Sequence, residues 1–309
     1  MPVTMNSRVQ TARSLALDQV ASEVSAALEA RNVRVILLKG AAIANWLYDD
    51  GAVRPYNDVD LLVAPADRAR SEGALRELGF TPKLQGVSPI EETPYGRVWL
   101  RGGTALDFHA SIRDIGLAPN KAWELLVEGT EVMEVGGRRL EVLGPPARAL
   151  HVALHAAQHG LNEPKPRQDL ARALSELPID TWREAADLAR RLDAAAAMAA
   201  GLRLDPEGQL LADALDLPKR IPLGLALRAG KASRMDLSLS RVLAADGLVA
   251  KVRLVATGLV PTPARLRYLS PLARSGPLGL ALAYLGRPVA LLIRTPALMV
   301  SIGRAARRR

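Results

Sequence analysis

Cysteine is absent from all 309 residues, which excludes disulfides and thiolate zinc sites and is neutral about compartment. Aromatic residues make up only 4% of the chain. Stacking platforms for single-stranded nucleic acid depend on them, and no RNA- or DNA-binding module is recognisable. Acidic residues stop at Asp246. From Gly247 to Arg309 there are ten arginines and one lysine, so that region carries +11 and residues 1–246 carry −2 of the net +9. Any argument for an anionic partner therefore belongs to the tail. Long apolar runs are missing as well. The opening MPVTMNSRVQTARS lacks the apolar core of a signal peptide. The longest uncharged stretch of the tail, Ser275 to Gly286, is too short to span a bilayer. These absences lead to the expectation of a cytoplasmic protein.

What is present describes a folded soluble chain, 49% hydrophobic and 24% charged, long enough for two domains or one extended one. Residues 33–63 carry the most information. An apolar run, Val35 to Leu38, opens onto Lys39-Gly40; a short helical stretch and a turn at Asp49-Asp50-Gly51 follow; Arg54-Pro55-Tyr56 then leads into Asn57-Asp58-Val59-Asp60-Leu61-Leu62-Val63. A strand has period two, so Asp58 and Asp60 point to one face of a segment that is otherwise apolar. Like charges that close repel beside a core unless a cation neutralises them, which points to a divalent metal site.

Apolar spacing predicts helices over residues 10–31, 41–48 and 67–78. Strands are expected over 97–101 and 105–109, joined by Gly102-Gly103, and over 131–135 and 138–142, joined by Gly136-Gly137. A short helix is expected over 123–127, and residues 81–94 read as loop. Beyond Gly144-Pro145-Pro146 the period becomes 3.6, with helices over 146–159, 167–176, 181–200 and 207–215. The expected organisation is α+β: a mixed domain over 1–144, a helical domain over 145–246 and a basic helical extension over 247–309.

The acidic motifs resemble those of the nucleotidyltransferases of the DNA polymerase beta-like superfamily, and more closely the bacterial branch that carries only the general label "nucleotidyltransferase family protein". The resemblance rests on Leu38-Lys39-Gly40, on Arg54 to Val63, on Leu106-Asp107-Phe108-His109 and, more weakly, on the helical stretch from His155 to Asp169. It implies a small mixed sheet with flanking helices and three carboxylates from neighbouring strands, matched by Asp58, Asp60 and Asp107. It implies transfer of a nucleoside monophosphate from an NTP, ATP favoured, to an acceptor hydroxyl, with release of pyrophosphate. Two Mg2+ ions, or Mn2+ in their place, would be held by these carboxylates. The superfamily's usual Gly-Ser or Gly-Gly turn is here Lys39-Gly40-Ala41, so Gly40 would admit phosphate to the backbone and Lys39 would supply the charge. A binding or regulatory protein on the same fold, and another phosphoryl-type transfer, are the competing readings.

Arg54 suits pairing with Asp60 or with phosphate, or an ordinary surface role. Asn57 reads as a turn cap or a water-mediated ligand. His109 shares a strand face with Asp107 and is placed to touch substrate or to join a core hydrogen bond. His151, His155 and His159 repeat every four residues, yet three imidazoles on one straight helix do not converge on one ion; His155 and His159 are expected at a surface between domains or facing a cleft. The resemblance places Lys165 and Arg167 over the cleft, within reach of triphosphate or acceptor, beside the plain alternative of solvated charges. A small hydroxyl-bearing acceptor is favoured. The tail, with six prolines and ending Arg304-Ala305-Ala306-Arg307-Arg308-Arg309, reads as short helices. They would serve as an arginine-rich cap, as contacts to an anionic membrane surface at the cell periphery, or as a surface for nucleic acid or an acidic protein.

Overall fold

Apolar positions alternating along 33–63, 96–109 and 131–142 become the strands of a single sheet. The computed structural model describes residues 5–48, 54–88 and 95–307; the expected Asp49-Asp50-Gly51 turn, the end of the 81–94 loop and Arg308-Arg309 lie outside them. The elements run α1 (Met5–Glu29), β1 (Val35–Leu37), α2 (Ala41–Leu47), β2 (Asp58–Val63), α3 (Arg68–Glu77), β3 (Thr81–Pro82), β4 (Gly96–Arg101), β5 (Thr104–His109), α4 (Pro119–Val127), β6 (Glu131–Val135), β7 (Arg138–Val142), α5 (Pro145–His159), α6 (Pro164–Glu176) and α7 (Ile179–Arg191). Then come α8 (Ala195–Leu202), α9 (Pro206–Ala214), α10 (Leu223–Ala229), α11 (Arg234–Ala244), α12 (Gly247–Leu259), α13 (Pro263–Leu269) and α14 (Gly276–Arg307).

The seven strands lie in the order β3-β4-β5-β2-β1-β7-β6. β2 runs parallel to β5 and β1 runs parallel to β7, while the remaining pairs are antiparallel, so the sheet is mixed, as expected. The paired-aspartate strand is the middle one. Its neighbours explain its composition: Val59, Leu61 and Val63 join Val35 and Leu37 of β1 and Leu106 and Phe108 of β5 in one buried cluster. Leu17, Ala21, Val24 and Leu28 recur at helical spacing on α1 and bury into the same cluster. Each large side chain so buried stabilises the fold by about 1.5–3 kcal/mol. Period two then places Asp58 and Asp60 on β2, and Asp107 and His109 on β5, on the opposite face of the sheet.

The edge hairpin β6–β7 is tied to the strand β1 by Arg34. Its Nε donates to Glu141 Oε2 at 2.9 Å and its Nη2 to Thr130 Oγ1 at 3.0 Å, while Thr130 also donates to Glu141. Arg34 holds the Glu141 carboxyl below its ordinary 4.5, against a smaller upward push from burial. A depressed carboxylate pKa contributes stability that is present above the unfolded value and lost as pH falls through the folded one. Arg34 is 45% exposed, so solvent screening keeps the contribution small. Glu141→Gln is expected to cost about 1 kcal/mol at pH 7, and urea unfolding at successively lower pH should show the gap from wild type closing below the ordinary carboxylate range.

Chain contacts divide the protein into two units, one of Met1–Lys83, Tyr95–Val152 and Asp169–Ala195, the other of Leu84–Pro94, Ala153–Gln168 and Ala196–Arg309. The first holds the whole sheet. The second is helical; Ser233 and Asp236 form a reciprocal cap at the start of α11, and Asp205 caps α9. Two expectations are corrected. The helix expected over 181–200 is two helices, broken at Asp193, whose φ of 53° is a left-handed conformation that aspartate tolerates. The tail's end is not a set of short helices but the continuous 32-residue α14, with Pro288 and Pro296 inside it. Arginine ends an apolar run without ending a helix, because backbone hydrogen bonding is indifferent to side-chain charge and arginine is a good helix former. Among the described residues this is the one helix long and apolar enough, by length and composition, to cross a membrane.

Candidate active site

The register of the parallel pair brings the site together. Asp60 lies beside Asp107 and Leu62 beside His109, so Asp60, Asp107 and His109 share one face of two adjacent strands. Each offers a ligand atom within 4.8 Å of the others, a group able to hold a metal ion. The expected set was Asp58, Asp60 and Asp107. Asp58 occupies the same face but at the start of β2, paired with Ala105 and partly exposed. Its charge reaches both Lys39 and Asp107. His109 enters the cluster because β4 makes room for it. Gly96 pairs with His109, and a Cβ there would lie 2.4 Å from Phe108 O and 3.0 Å from His109 Nδ1.

Lys39 and His109 converge on one oxygen of Asp60, which is 2% exposed. Lys39 Nζ is 2.6 Å and His109 Nε2 is 3.2 Å from Asp60 Oδ1. Burial alone would raise the Asp60 pKa, but Lys39 and His109 outweigh it and hold the carboxyl well below its usual range. Burial likewise works against the Lys39 charge, and Asp60, Asp58 and Asp107 overcome it and raise its pKa. Asp107 is pushed up by burial and by the neighbouring Asp60 charge. His151 belongs with this cluster rather than with a histidine stripe. Burial first, and then the positive charge of Lys39, lower its pKa to about 3, so it is neutral.

The turn before α2 is built on Gly40. Its φ of 62° favours glycine, and a Cβ would meet the Tyr56 ring at 3.4 Å. Arg54 is buried, and its partner is Asp169 on α6 rather than Asp60: Nε donates to Oδ1 and Nη2 to Oδ2, each at 2.6 Å, while Nη1 reaches Gly40 O at 3.4 Å. All three guanidinium nitrogens are thus engaged inside the protein. Tyr48, at the end of α2, donates to Asp169 Oδ1 at 2.9 Å, and burial together with the Asp169 charge pushes its phenol up to about 12. Arg172 Nε, one turn along α6, donates to Leu47 O at 2.6 Å. The sequence held a signal for Asp169 that its spacing reveals: it stands beside Leu170 and Ala173 on the buried stripe of α6, where the helical period calls for an apolar residue.

Asn57 is exposed immediately before β2. Lys165 and Arg167 lie in the first turns of α6, partly and fully exposed. The rings of His155 and His159 meet edge to face at 4.6 Å, and His159 Nδ1 is 3.1 Å from Glu163 Oε1. His155, His159, Lys165 and Arg167 belong to the second unit, whereas Lys39, Gly40, Arg54, Asn57, Asp58, Asp60, Asp107 and His109 all belong to the first.

Residues 4–207 match the family model described as "Uncharacterised nucleotidyltransferase". That span is well over half of the sequence, and the chain belongs to this family of nucleotidyltransferases. The mixed sheet with paired aspartates on its middle strand agrees with the polymerase beta-like superfamily that the motifs resemble. No curated protein matches the chain. Among solved structures, the solution structure of the antibiotic-resistance factor ANT(2'')-Ia aligns at 19% identity over 59% of this chain and 95% of that one, with a TM-score of 0.44. A crystal structure of ANT(2'')-Ia in complex with adenylyl-2''-tobramycin aligns at 20% identity over 56% and 97%, with a TM-score of 0.43. An antigenic nucleotidyltransferase-like protein from Paracoccidioides brasiliensis aligns at 16% identity over 59% and 91%, with a TM-score of 0.36.

Proposed function

We propose that this chain moves a nucleoside monophosphate from an NTP, ATP favoured, to a hydroxyl of a small-molecule acceptor, releasing pyrophosphate. The observation that carries the reading is the convergence of Asp60, Asp107, His109 and Lys39 on one face of β2 and β5 in a member of a nucleotidyltransferase family. The donor set suits a divalent ion: carboxylate oxygens match Mg2+ or Mn2+, and an imidazole nitrogen is tolerated better by Mn2+. Asp60 and Asp107, joined by Asp58, would hold two such ions. When bound, they would neutralise the triphosphate and lower the pKa of the acceptor hydroxyl. Lys39, displaced from Asp60, would contact phosphate next to the Gly40 turn. The acceptor oxygen attacks the α-phosphorus, the bond from that phosphorus to the bridging oxygen breaks, and pyrophosphate leaves with the electron pair. Asp107 orients the acceptor and takes its proton. Arg54, held by Asp169, acts as a positioning residue for the Gly40 turn. Asn57, just before the paired-aspartate strand, would serve a substrate contact.

The test supplies each α-labelled NTP in turn with Mg2+ and fractionated cell extract. Label should pass to a small molecule with stoichiometric pyrophosphate, stop on addition of EDTA, and fall by at least about a thousandfold in Asp107→Asn. If no NTP and no fraction gives transfer, while Asp58→Asn and Asp107→Asn bind NTP as the wild type does, the chain is a binding protein on this fold and the reading fails.

A further inference from the structure

Sixteen of the twenty-four exposed large apolar side chains among the described residues lie from Leu248 onward, so the apolar exposure is concentrated in the part of the chain that carries no acid. On α14 the exposure has a direction. Leu278, Leu282, Leu285, Val289 and Leu292 follow one another at alternating spacings of four and three, and Leu278, Leu285 and Leu292 are each at least 70% exposed. Residues at that spacing share one helix face. Gly279, Ala283 and Ala305, the buried residues of α14, fall on the opposite face, near both ends of the helix. Arg287 lies on that side, partly buried, and Arg294, seven residues further on, is exposed. Arg287 donates from Nε and Nη2 to Gly258 O at 2.8 and 2.5 Å, and so clips α14 to the end of α12. Burial, and then the neighbouring charges of Arg265 and Arg294, depress the Arg287 pKa, so these cations are crowded together. α12 repeats the pattern: it buries no residue and exposes Leu248, Val252, Val255 and Leu259 at the same spacing.

An occupant of this surface has to cover apolar area and also compensate a charge of +11. A second copy of the chain covers the apolar stripe but sets two such cationic regions face to face, which is repulsive. A membrane-spanning α14 would carry Arg287 and Arg294 into hydrocarbon, where charge is expensive. It would also strip the helix from α10, α11 and α13, the elements of the same unit on which it packs. An anionic bilayer meets both demands without either penalty: the stripe enters the acyl boundary, and arginines at the helix ends and on the neighbouring helices reach headgroup phosphates.

We propose that α14, assisted by the outward face of α12, docks this chain on an anionic phospholipid bilayer, with the helix lying in the plane of the interface. The surface belongs to a different unit from the candidate active site, and the proposal stands independently of the nucleotidyl-transfer reading.

Flotation of the full-length chain with vesicles of phosphatidylcholine, with and without phosphatidylglycerol, tests it. Binding should require phosphatidylglycerol, weaken at high salt, and fall by at least about tenfold in the double variant Leu285→Gln/Leu292→Gln. Both positions are exposed, so its far-UV spectrum and melting temperature should match wild type. Should that variant misfold, Arg304→Glu/Arg307→Glu, at exposed sites, provides the same comparison through charge. Equal binding to phosphatidylcholine alone, binding untouched by either variant, or resistance to carbonate extraction as an integral protein would each overturn the proposal. So would a lipid-free dimer that dissociates in Leu285→Gln/Leu292→Gln.

Discussion

Asp60→Asn is expected to lower nucleotidyl transfer by at least about a thousandfold and to destabilise the protein by about 2–5 kcal/mol, and the two losses have separable causes. Asp60 is almost wholly buried, and a single carboxylate oxygen receives both Lys39 and His109. Asparagine keeps the size of the side chain and removes its charge. Lys39, whose side chain is 17% exposed, then keeps its ammonium in the interior with only Asp58 and Asp107 to compensate it. Removing one partner of such a pair leaves an uncompensated charge, and that is where the stability goes. Removing both charges should restore it. Asp60→Asn/Lys39→Met is therefore expected to regain most of the unfolding free energy in urea while remaining inactive, since the proposed metal site would lack a ligand and the proposed phosphate contact its lysine. A wild-type rate in Asp60→Asn would sink the metal-centred mechanism. A double variant no more stable than the single one would show that the Lys39–Asp60 pair is not what destabilises it.

The same residue shows how far local sequence reaches. Period two was enough to put Asp58 and Asp60 on one face, and the apolar neighbours Val59, Leu61 and Val63 were enough to place their strand inside the sheet, because both follow from side-chain geometry within six residues. The glycine pairs at 102–103 and 136–137 marked their hairpins for the same reason: each glycine there has a positive φ. Which carboxylates come closest is a matter of register between β2 and β5, and strands 40 residues apart carry no local record of it. Hence His109, expected only as a companion of Asp107, is itself a member of the metal-competent group with Asp60 and Asp107. The partner of Arg54 was out of reach on the same grounds, since it is 115 residues away. The α14 stripe was obscured differently: reading by uncharged runs stopped at Arg287, although the helical period continues through it to Leu292 and beyond.

That distant pair sets the second large effect. Arg54 and Asp169 are 4% and 3% exposed at their side chains, and the fork of hydrogen bonds between them is two-pronged. Asp169→Asn takes the charge from Arg54 and weakens the acceptor used by Tyr48, and it is expected to cost about 3–5 kcal/mol. Arg54→Lys should also be costly, because an ammonium cannot reproduce the planar fork or reach Gly40 O at the same time. Replacing the pair with apolar residues, Arg54→Met/Asp169→Leu, should return much of the stability, as neither buried charge remains. The functional consequence runs the other way. Gly40 O would lose its contact to Arg54 and α2 its tie through Tyr48, so the turn that is proposed to receive phosphate would be looser even in a stable protein. The double variant is expected to show a raised KM for NTP with kcat changed much less, the pattern of lost ground-state binding. Thermal unfolding and steady-state kinetics on the three variants decide the matter. If Asp169→Asn unfolds within 1 kcal/mol of wild type, the ion pair is not the brace that its burial suggests; if the double variant keeps the wild-type KM, the pair holds the fold but does not shape the Gly40 turn.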